Sequence, residues 1–192
     1  MEFNLIIPLA AIYTTTIVIL IIARYFYFNN VDEETIWIGR VLYDSVALLH
    51  IGTSFYLFAT TSSISHYMGL ACGFLYFLGL LFFLWGLRTS TKLKFASSSL
   101  GEELVTTGPY KYIRHPLYLS YTLIWIANCV LFNSLVLWIT LIAMAAFYTV
   151  SAKREEAAIS KSEYSREYEA YKNSVGMFLP RVTKWKNSNS KL

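Results

Sequence analysis

The sequence predicts an all-α integral membrane protein with five transmembrane helices, the last two forming a helical hairpin, followed by a cytoplasmic amphipathic helix near the C-terminus. Three observations support this class. Hydrophobic residues make up 56% of the 192 residues and charged residues only 15%, which is too apolar for a soluble globular domain. Long uncharged runs alternate with shorter charged segments. All 16 Lys and Arg residues lie in segments that five spans place on one side of the membrane.

Uncharged runs locate the five spans. Residues 3–23 form one run, long enough for one helix across a hydrocarbon core of roughly 30 Å. Residues 45–87 and 116–152 contain no Asp, Glu, Lys or Arg, and each run is too long for a single helix. Each should therefore fold back once, at the polar residues 60–63 in the first run and 133–134 in the second.

Charge asymmetry tests this count and sets the orientation. The basic residues occupy segments 24–40, 88–114 and 153–192, which a four- or six-helix arrangement would divide between the two faces. Because cytoplasmic loops carry the excess of Lys and Arg, the C-terminus is predicted to be cytoplasmic and the N-terminus outside or lumenal. The expected membrane is the endoplasmic reticulum in a eukaryote and the plasma membrane in a prokaryote. The net charge of +4 then indicates contact with lipid headgroups and no nucleic-acid binding.

Inside the spans, the sequence predicts helix packing, with neither a disulfide framework nor a metal site. Cys72 and Cys129 both fall within predicted spans and have no metal-ligand spacing. The third span carries small residues at intervals that let a neighbouring helix approach closely. These residues are Gly69, Gly73, Gly79 and Gly86.

The segment from Gly108 to Tyr118 is polar and contains two prolines, and it runs directly into the fourth span. Pro116 suits the first turn of a helix, where its missing N–H costs nothing. His115 then lies at the helix N-terminus, where free backbone N–H groups and the helix dipole favour a carboxylate or a phosphate. The alternative is that Arg114 and His115 only extend to lipid headgroups.

A second charged cluster, Arg154-Glu155-Glu156, follows the fifth span. Because a tight hairpin returns the chain to the face where it began, Arg154 and Glu156 are predicted to come near His115 and Tyr118. Taken alone, such a cluster is more typical of a stop-transfer signal. Two polar clusters on one closed hairpin favour a pocket at its cytoplasmic end.

The C-terminal tail predicts an amphipathic cytoplasmic helix. Apolar and aromatic residues recur at helical spacing within residues 151–175, and charged residues occupy the other faces. A glycine after this stretch and a later proline are typical signals for the end of a helix. The apolar stripe consists of Tyr164, Tyr168, Tyr171 and Val175.

The order of these motifs resembles that of the isoprenylcysteine carboxyl methyltransferases. The resemblance covers about residues 88–183 and extends to the wider phospholipid N-methyltransferase-like proteins, whereas the first three helices match by length only. In many members a glycine stands where this chain has Ser120. The motifs are Gly-Pro-Tyr at 108–110, Arg-His-Pro-Leu-Tyr at 114–118, a membrane hairpin, Arg-Glu-Glu at 154–156, and Tyr-x-x-Tyr at 168–171 before Pro180.

The resemblance implies an S-adenosylmethionine-dependent enzyme that methylates the C-terminal carboxylate of a prenylated cysteine and releases S-adenosylhomocysteine. Residues 1–87 would supply three membrane helices, and residues 88–192 the catalytic connector, hairpin and tail. The implied catalytic residues are Glu156, which matches the family's glutamate, and Arg154, which is nearest to its substrate-side arginine; Arg181 is a candidate for the pocket rim. The implied cofactor-binding residues are Glu102, Glu103, Leu104, Val105, Tyr110, His115, Pro116, Leu117, Tyr118 and Glu156.

The chemistry of the residues agrees with this cofactor. Its carboxylate suits His115 at a helix N-terminus, and its amine suits Glu103 or Glu156. No glycine-rich fingerprint follows a strand, which excludes a Rossmann-type methyltransferase. Its adenine and sulfonium suit the aromatic faces of Tyr110, Tyr118 and Tyr148.

Three alternatives stay open at this point. A lipid-amine N-methyltransferase on the same scaffold would need Glu156 as a base to take a proton from the amine, whereas a carboxylate attacking a sulfonium methyl group needs no base. A nicotinamide-dependent reductase of the membrane sterol type is less consistent, because those proteins usually have Asn in place of Leu117. A non-catalytic membrane scaffold leaves the two charged clusters unexplained.

Overall fold

The predicted all-helical class is confirmed. A computed structural model describes residues 5–27, 37–91 and 104–181, and this part of the chain contains helices and no strand. A short 3-10 helix, Gly108–Lys111, precedes the hairpin. The six α-helices are α1 (Ile6–Tyr27), α2 (Trp37–Thr60), α3 (His66–Thr91), α4 (Pro116–Phe132), α5 (Leu135–Ile159) and α6 (Ser165–Ser174).

Four of these helices are long and apolar enough to cross a membrane. They include α1 to α3, and α5 over its whole length. The fifth predicted span corresponds to α4, which is apolar but only 17 residues long. Because α4 packs against α3 and α5, we keep it as a proposed fifth span. The orientation derived from the basic residues likewise stays a prediction.

The contact between α3 and α4 depends on two glycines of α3. A Cβ atom on Gly79 would lie 2.7 Å from Cγ1 of Ile124. A Cβ atom on Gly86 would lie 2.9 Å from Cδ2 of Leu117. Both distances are too short for a side chain, so these two positions let α4 lie close against α3, as the glycine spacing predicts.

The predicted hairpin turn between the last two long helices is present. Helix α4 ends at Phe132, and Asn133 adopts a left-handed conformation with φ of 47°. Asparagine tolerates this conformation better than most residues because its short polar side chain bonds locally. Here the Asn133 amide oxygen accepts a hydrogen bond of 3.1 Å from Nε1 of Trp138 in α5. The turn therefore sends α5 back alongside α4.

A set of uncharged polar side chains, the interior polar cluster, joins four of the helices in the core. Tyr76 donates a hydrogen bond to the Asn128 amide oxygen, and Asn128 Nδ2 donates to Ser54 Oγ at 3.0 Å. His50 Nδ1 lies 2.8 Å from Thr140 Oγ1. The Thr140 hydroxyl itself donates to a backbone carbonyl of α5, so His50 Nδ1 is the donor of the pair. Hydrogen bonds of this kind hold helices together in an apolar environment.

The C-terminal region differs from its predicted boundaries. Helix α5 continues past the apolar run to Ile159, and a turn at residues 160–164 separates it from α6. The tail is thus two helices and not one continuous stripe. Tyr168 and Tyr171 of α6 are buried with Val175, while an amphipathic role of α6 at the cytoplasmic surface stays a prediction.

Candidate active site

The site is built where the start of α4 meets the C-terminal tail. Pro116 is the first residue of α4 and His115 is its N-cap. The backbone N–H groups of Arg114 and His115 donate to the carbonyls of Gly176 and Met177 at 2.9 and 3.1 Å. These two bonds tie the tail to the beginning of α4, so the tail covers one side of the His115 ring.

Glu156 connects the two ends of the hairpin. Its Oε1 atom accepts hydrogen bonds from Arg114 Nε at 2.9 Å and from His115 Nε2 at 3.1 Å. The guanidinium of Arg114 also donates to the backbone carbonyls of Lys172 and Val175. Because Arg114, His115 and Glu156 are all buried, removal of any one of them would leave a buried charge without its partner.

Glu155 occupies the outer edge of the same group. Its side chain is 45% exposed, and Oε2 lies 3.4 Å from His115 Nδ1. The Tyr118 hydroxyl donates to Oε1 of the same carboxylate. We call Arg114, His115, Tyr118, Glu155 and Glu156 the hairpin-mouth cluster. The predicted approach of Glu156 to His115 is confirmed, whereas the glutamate that contacts Tyr118 is Glu155.

The His115 ring is placed to carry a positive charge. Each of its nitrogens faces a carboxylate, Glu155 on one side and Glu156 on the other. Burial opposes the charged form, but the hydrogen bonds and negative charges of the two glutamates outweigh it and raise the pKa of His115 above its usual value. The two carboxylates therefore favour the charged form of His115 at the N-terminus of α4.

An aromatic column extends from His115 into the helical core. The Tyr118 ring stacks on His115 with centroids 5.7 Å apart, and the Tyr148 ring stacks on Tyr118 at 5.2 Å. Trp125 Nε1 donates a 2.9 Å hydrogen bond to the Tyr148 hydroxyl. This bond holds the Tyr148 ring, against which the Tyr118 ring stacks.

Tyr110 lies beside the cluster and is held by the tail. The Tyr171 hydroxyl donates to the backbone carbonyl of Tyr110 at 2.5 Å. Burial raises the pKa of Tyr110 to about 12, even though a hydrogen bond with Ser90 lowers it. The Tyr110 hydroxyl therefore stays neutral, and the side chain offers an aromatic ring with one polar group beside the cluster.

The other sequence-predicted site residues lie at different places. Leu104 packs against the buried tail residues and Val105 is buried, and neither lies in a helix or a strand. Leu117 packs against Gly86 of α3. Glu102 and Glu103 fall outside the described residues.

The contacts of Arg154 and Arg114 differ from those that the sequence predicts. Arg154 is exposed, and no ion pair holds it among the described residues. The arginine that contacts Glu156 is Arg114, 42 residues earlier in the chain. A signal for this was present: Tyr148, Ala152 and Glu156 recur every four residues on one helix face, from which Arg154 is rotated by about 200°.

Residues 70–161 match the model of the Isoprenylcysteine carboxyl methyltransferase (ICMT) family. This match confirms the family resemblance. It covers most of α3, the hairpin and every residue of the hairpin-mouth cluster. A search among curated proteins finds no match. The ICMT match and the apolar helices together imply a methyltransferase of the membrane.

Proposed function

We propose that the protein transfers a methyl group from S-adenosylmethionine to the C-terminal carboxylate of a prenylated cysteine at the membrane–cytosol interface. Two findings support this proposal. Residues 70–161 match the ICMT family, and the hairpin-mouth cluster gathers a charged histidine, a tyrosine hydroxyl and an exposed edge at one end of apolar helices. The apolar helices provide the surroundings that a prenyl chain requires.

The donors of the cluster fit the methyl donor. S-adenosylmethionine supplies a methyl group activated on a sulfonium, and it also carries a carboxylate, an amine and an adenine. His115 Nδ1 and the Tyr118 hydroxyl both point to one carboxylate already, that of Glu155. The same two donors suit the carboxylate of the methyl donor. Tyr110 and Tyr118 offer aromatic faces for its adenine and sulfonium.

The remaining cofactor-site residues frame this arrangement. Pro116 and Leu117 begin α4 and hold His115 at its N-terminus. We propose that Leu104 and Val105 line the connector side of the pocket, together with Glu102 and Glu103.

The state of Glu156 favours a carboxylate substrate over an amine. An amine must lose a proton when it is methylated, so the enzyme would need a base. Glu156 already accepts hydrogen bonds from the guanidinium of Arg114 and the ring of His115, and a carboxylate held by two cations is a weak proton acceptor. We propose that Glu156 positions Arg114 and His115. A carboxylate nucleophile needs only in-line approach and exclusion of water.

Arg154 is the proposed substrate-side cation. Its exposed side chain lies next to Glu155 in α5, whereas Arg114 is fully engaged with Glu156 and the tail carbonyls. An exposed guanidinium beside Glu155 in the chain is suited to attract the substrate carboxylate without taking part in the bond that forms.

Methyl transfer with chemically distinct products tests the proposal. Purified protein is incubated with radiolabelled S-adenosylmethionine and either a prenylated cysteine with a free carboxylate, its C-terminal amide, or an amine lipid. Of the three substrates, we expect only the prenylated cysteine with a free carboxylate to become labelled. Because the product is a methyl ester, treatment with base should release the label as methanol. Base-stable label in the amine lipid would instead identify an N-methyltransferase. Consumption of reduced nicotinamide with a sterol would identify a reductase.

A further inference from the structure

The two outward-facing donors of the site are already occupied by a side chain of the protein itself. Glu155 accepts from the Tyr118 hydroxyl and faces His115 Nδ1 at 3.4 Å. Its neighbour Glu156 is 7% exposed and is held by Arg114 and His115. Glu155 is 45% exposed. The two adjacent carboxylates therefore differ: Glu156 is held in the protein interior, whereas the Glu155 side chain can rotate into solvent.

The charges of the cluster are balanced only while one outer carboxylate is present. Arg114 and charged His115 supply two positive charges, and Glu155 and Glu156 supply two negative ones. A further carboxylate bound to the same donors, with Glu155 in place, would leave an excess negative charge beside a buried ring. Like charges at such distances repel strongly where water is scarce.

We propose that Glu155 is a built-in competitor of the methyl donor's carboxylate, which binds as Glu155 rotates away from His115 and Tyr118. The inference rests on the proposed function. Rotation requires no opening of the core, because the side chain is already half in solvent. When no cofactor is bound, Glu155 keeps the donor pair satisfied and keeps other anions out. Glu155 thereby sets the affinity for ligands that carry a carboxylate.

Binding titrations of the full-length protein test this proposal. Wild type, Glu155→Gln and Glu155→Ala are titrated with S-adenosylhomocysteine and, separately, with methylthioadenosine, which keeps the adenosine and sulfur but has no carboxylate. The titrations are done at about pH 6, because a lower pH favours the charged form of His115. The control is Glu163→Gln, which removes an exposed carboxylate from the turn between α5 and α6.

The expected result is a gain in affinity for the ligand that carries a carboxylate and no gain for the ligand that lacks one. Both Glu155 variants should bind S-adenosylhomocysteine about fivefold more tightly than wild type, because a charge-assisted contact no longer has to be displaced. Methylthioadenosine binding should not change, and Glu163→Gln should behave as wild type. Unchanged or weaker S-adenosylhomocysteine binding by Glu155→Gln, or an equal gain for methylthioadenosine, overturns the inference and leaves the proposed function standing. Failure of the wild type to bind S-adenosylhomocysteine overturns the proposed function and the inference with it.

Discussion

Two polar clusters in the same helical assembly differ in charge, exposure and partners. The hairpin-mouth cluster contains an arginine, a charged histidine and two glutamates, and one of its carboxylates reaches solvent. The interior polar cluster consists of His50, Ser54, Tyr76, Asn128 and Thr140. Its histidine is the only member of a residue type that can carry a positive charge. His50, Ser54 and Asn128 are fully buried, with 0% exposure.

The two clusters differ in role: the hairpin-mouth cluster is suited to binding a ligand, and the interior polar cluster to packing helices together. Buried hydrogen bonds between uncharged groups hold helices together and offer no access to a ligand. A charged group at the edge of an apolar region is costly, and it persists where partners satisfy it and a function uses it. Loss of a residue from the interior polar cluster should therefore affect stability alone, whereas loss from the hairpin mouth should affect both stability and binding.

The largest expected effect comes from Arg114→Ala. This change leaves Glu156 buried without its cation and frees the tail carbonyls of Lys172 and Val175. Removing one partner of a buried ion pair costs about 3–5 kcal/mol. We expect a large drop in the thermal unfolding midpoint in detergent, with loss of S-adenosylhomocysteine binding. Arg114→Lys keeps the charge without the planar fork and should recover only part of both. An unchanged midpoint for Arg114→Ala would contradict the assigned role of the pair.

The next effect is expected at the tail, from Gly176→Ala. A Cβ atom there would lie 1.8 Å from the carbonyl oxygen of Leu179, so the backbone that pairs with Arg114 and His115 must move. Overpacking of this kind costs about 1–3 kcal/mol. Cofactor binding should weaken together with stability. The matched control is Gly52→Ala, because nothing lies within 4 Å of a Cβ atom at that position. Normal binding by Gly176→Ala would show that the tail is dispensable for the site.

A smaller, purely structural effect is expected from Asn128→Ala in the interior polar cluster. The change removes the acceptor of the Tyr76 hydroxyl and the donor to Ser54. Such interhelical hydrogen bonds contribute about 1 kcal/mol. The unfolding midpoint should fall modestly while the affinity for S-adenosylhomocysteine stays the same. Tyr76→Phe and the double variant complete a mutant cycle. Loss of ligand affinity in Asn128→Ala would break the separation between the two clusters.

The smallest effect is a pH dependence that belongs to the hairpin mouth. The pKa of His115 is raised above its usual value of 6.5, because the effect of the two glutamates exceeds that of burial. A raised pKa in the folded state means that this contribution to stability is fully present below about pH 6.5 and is lost as the pH rises through the raised pKa. Unfolding midpoints measured across this range should decline in wild type. The decline should be shallower in His115→Gln, and identical profiles would refute the charge assigned to the ring.

Much of the architecture could be predicted from the sequence. The start of α4 at Pro116 follows from the fixed geometry of proline at a helix N-terminus, and the turn at Asn133 follows from a short polar break in a long apolar run. The approach of His115 to the charged residues after the fifth span then follows from the closed hairpin.

The remaining features depend on helix register and long-range backbone pairing. The closed hairpin predicted that Arg154 comes near His115 and Tyr118, but its position about 200° around the helix from the buried face leaves it exposed. The backbone hydrogen bonds from Arg114 to Gly176 and from His115 to Met177 link segments far apart in sequence, and no local pattern specifies such a contact. The division of work between Glu155 and Glu156 likewise depends on which carboxylate faces the core.

Titration of S-adenosylhomocysteine against a pair of variants, one from each cluster, tests the central claim most directly. His115→Ala removes a donor from the hairpin mouth, and Thr140→Val removes the hydroxyl that contacts His50 in the interior. The account predicts that His115→Ala binds at least about tenfold more weakly, equivalent to roughly 1.4 kcal/mol, while Thr140→Val binds as wild type does. Equal affinity in His115→Ala and wild type would contradict it.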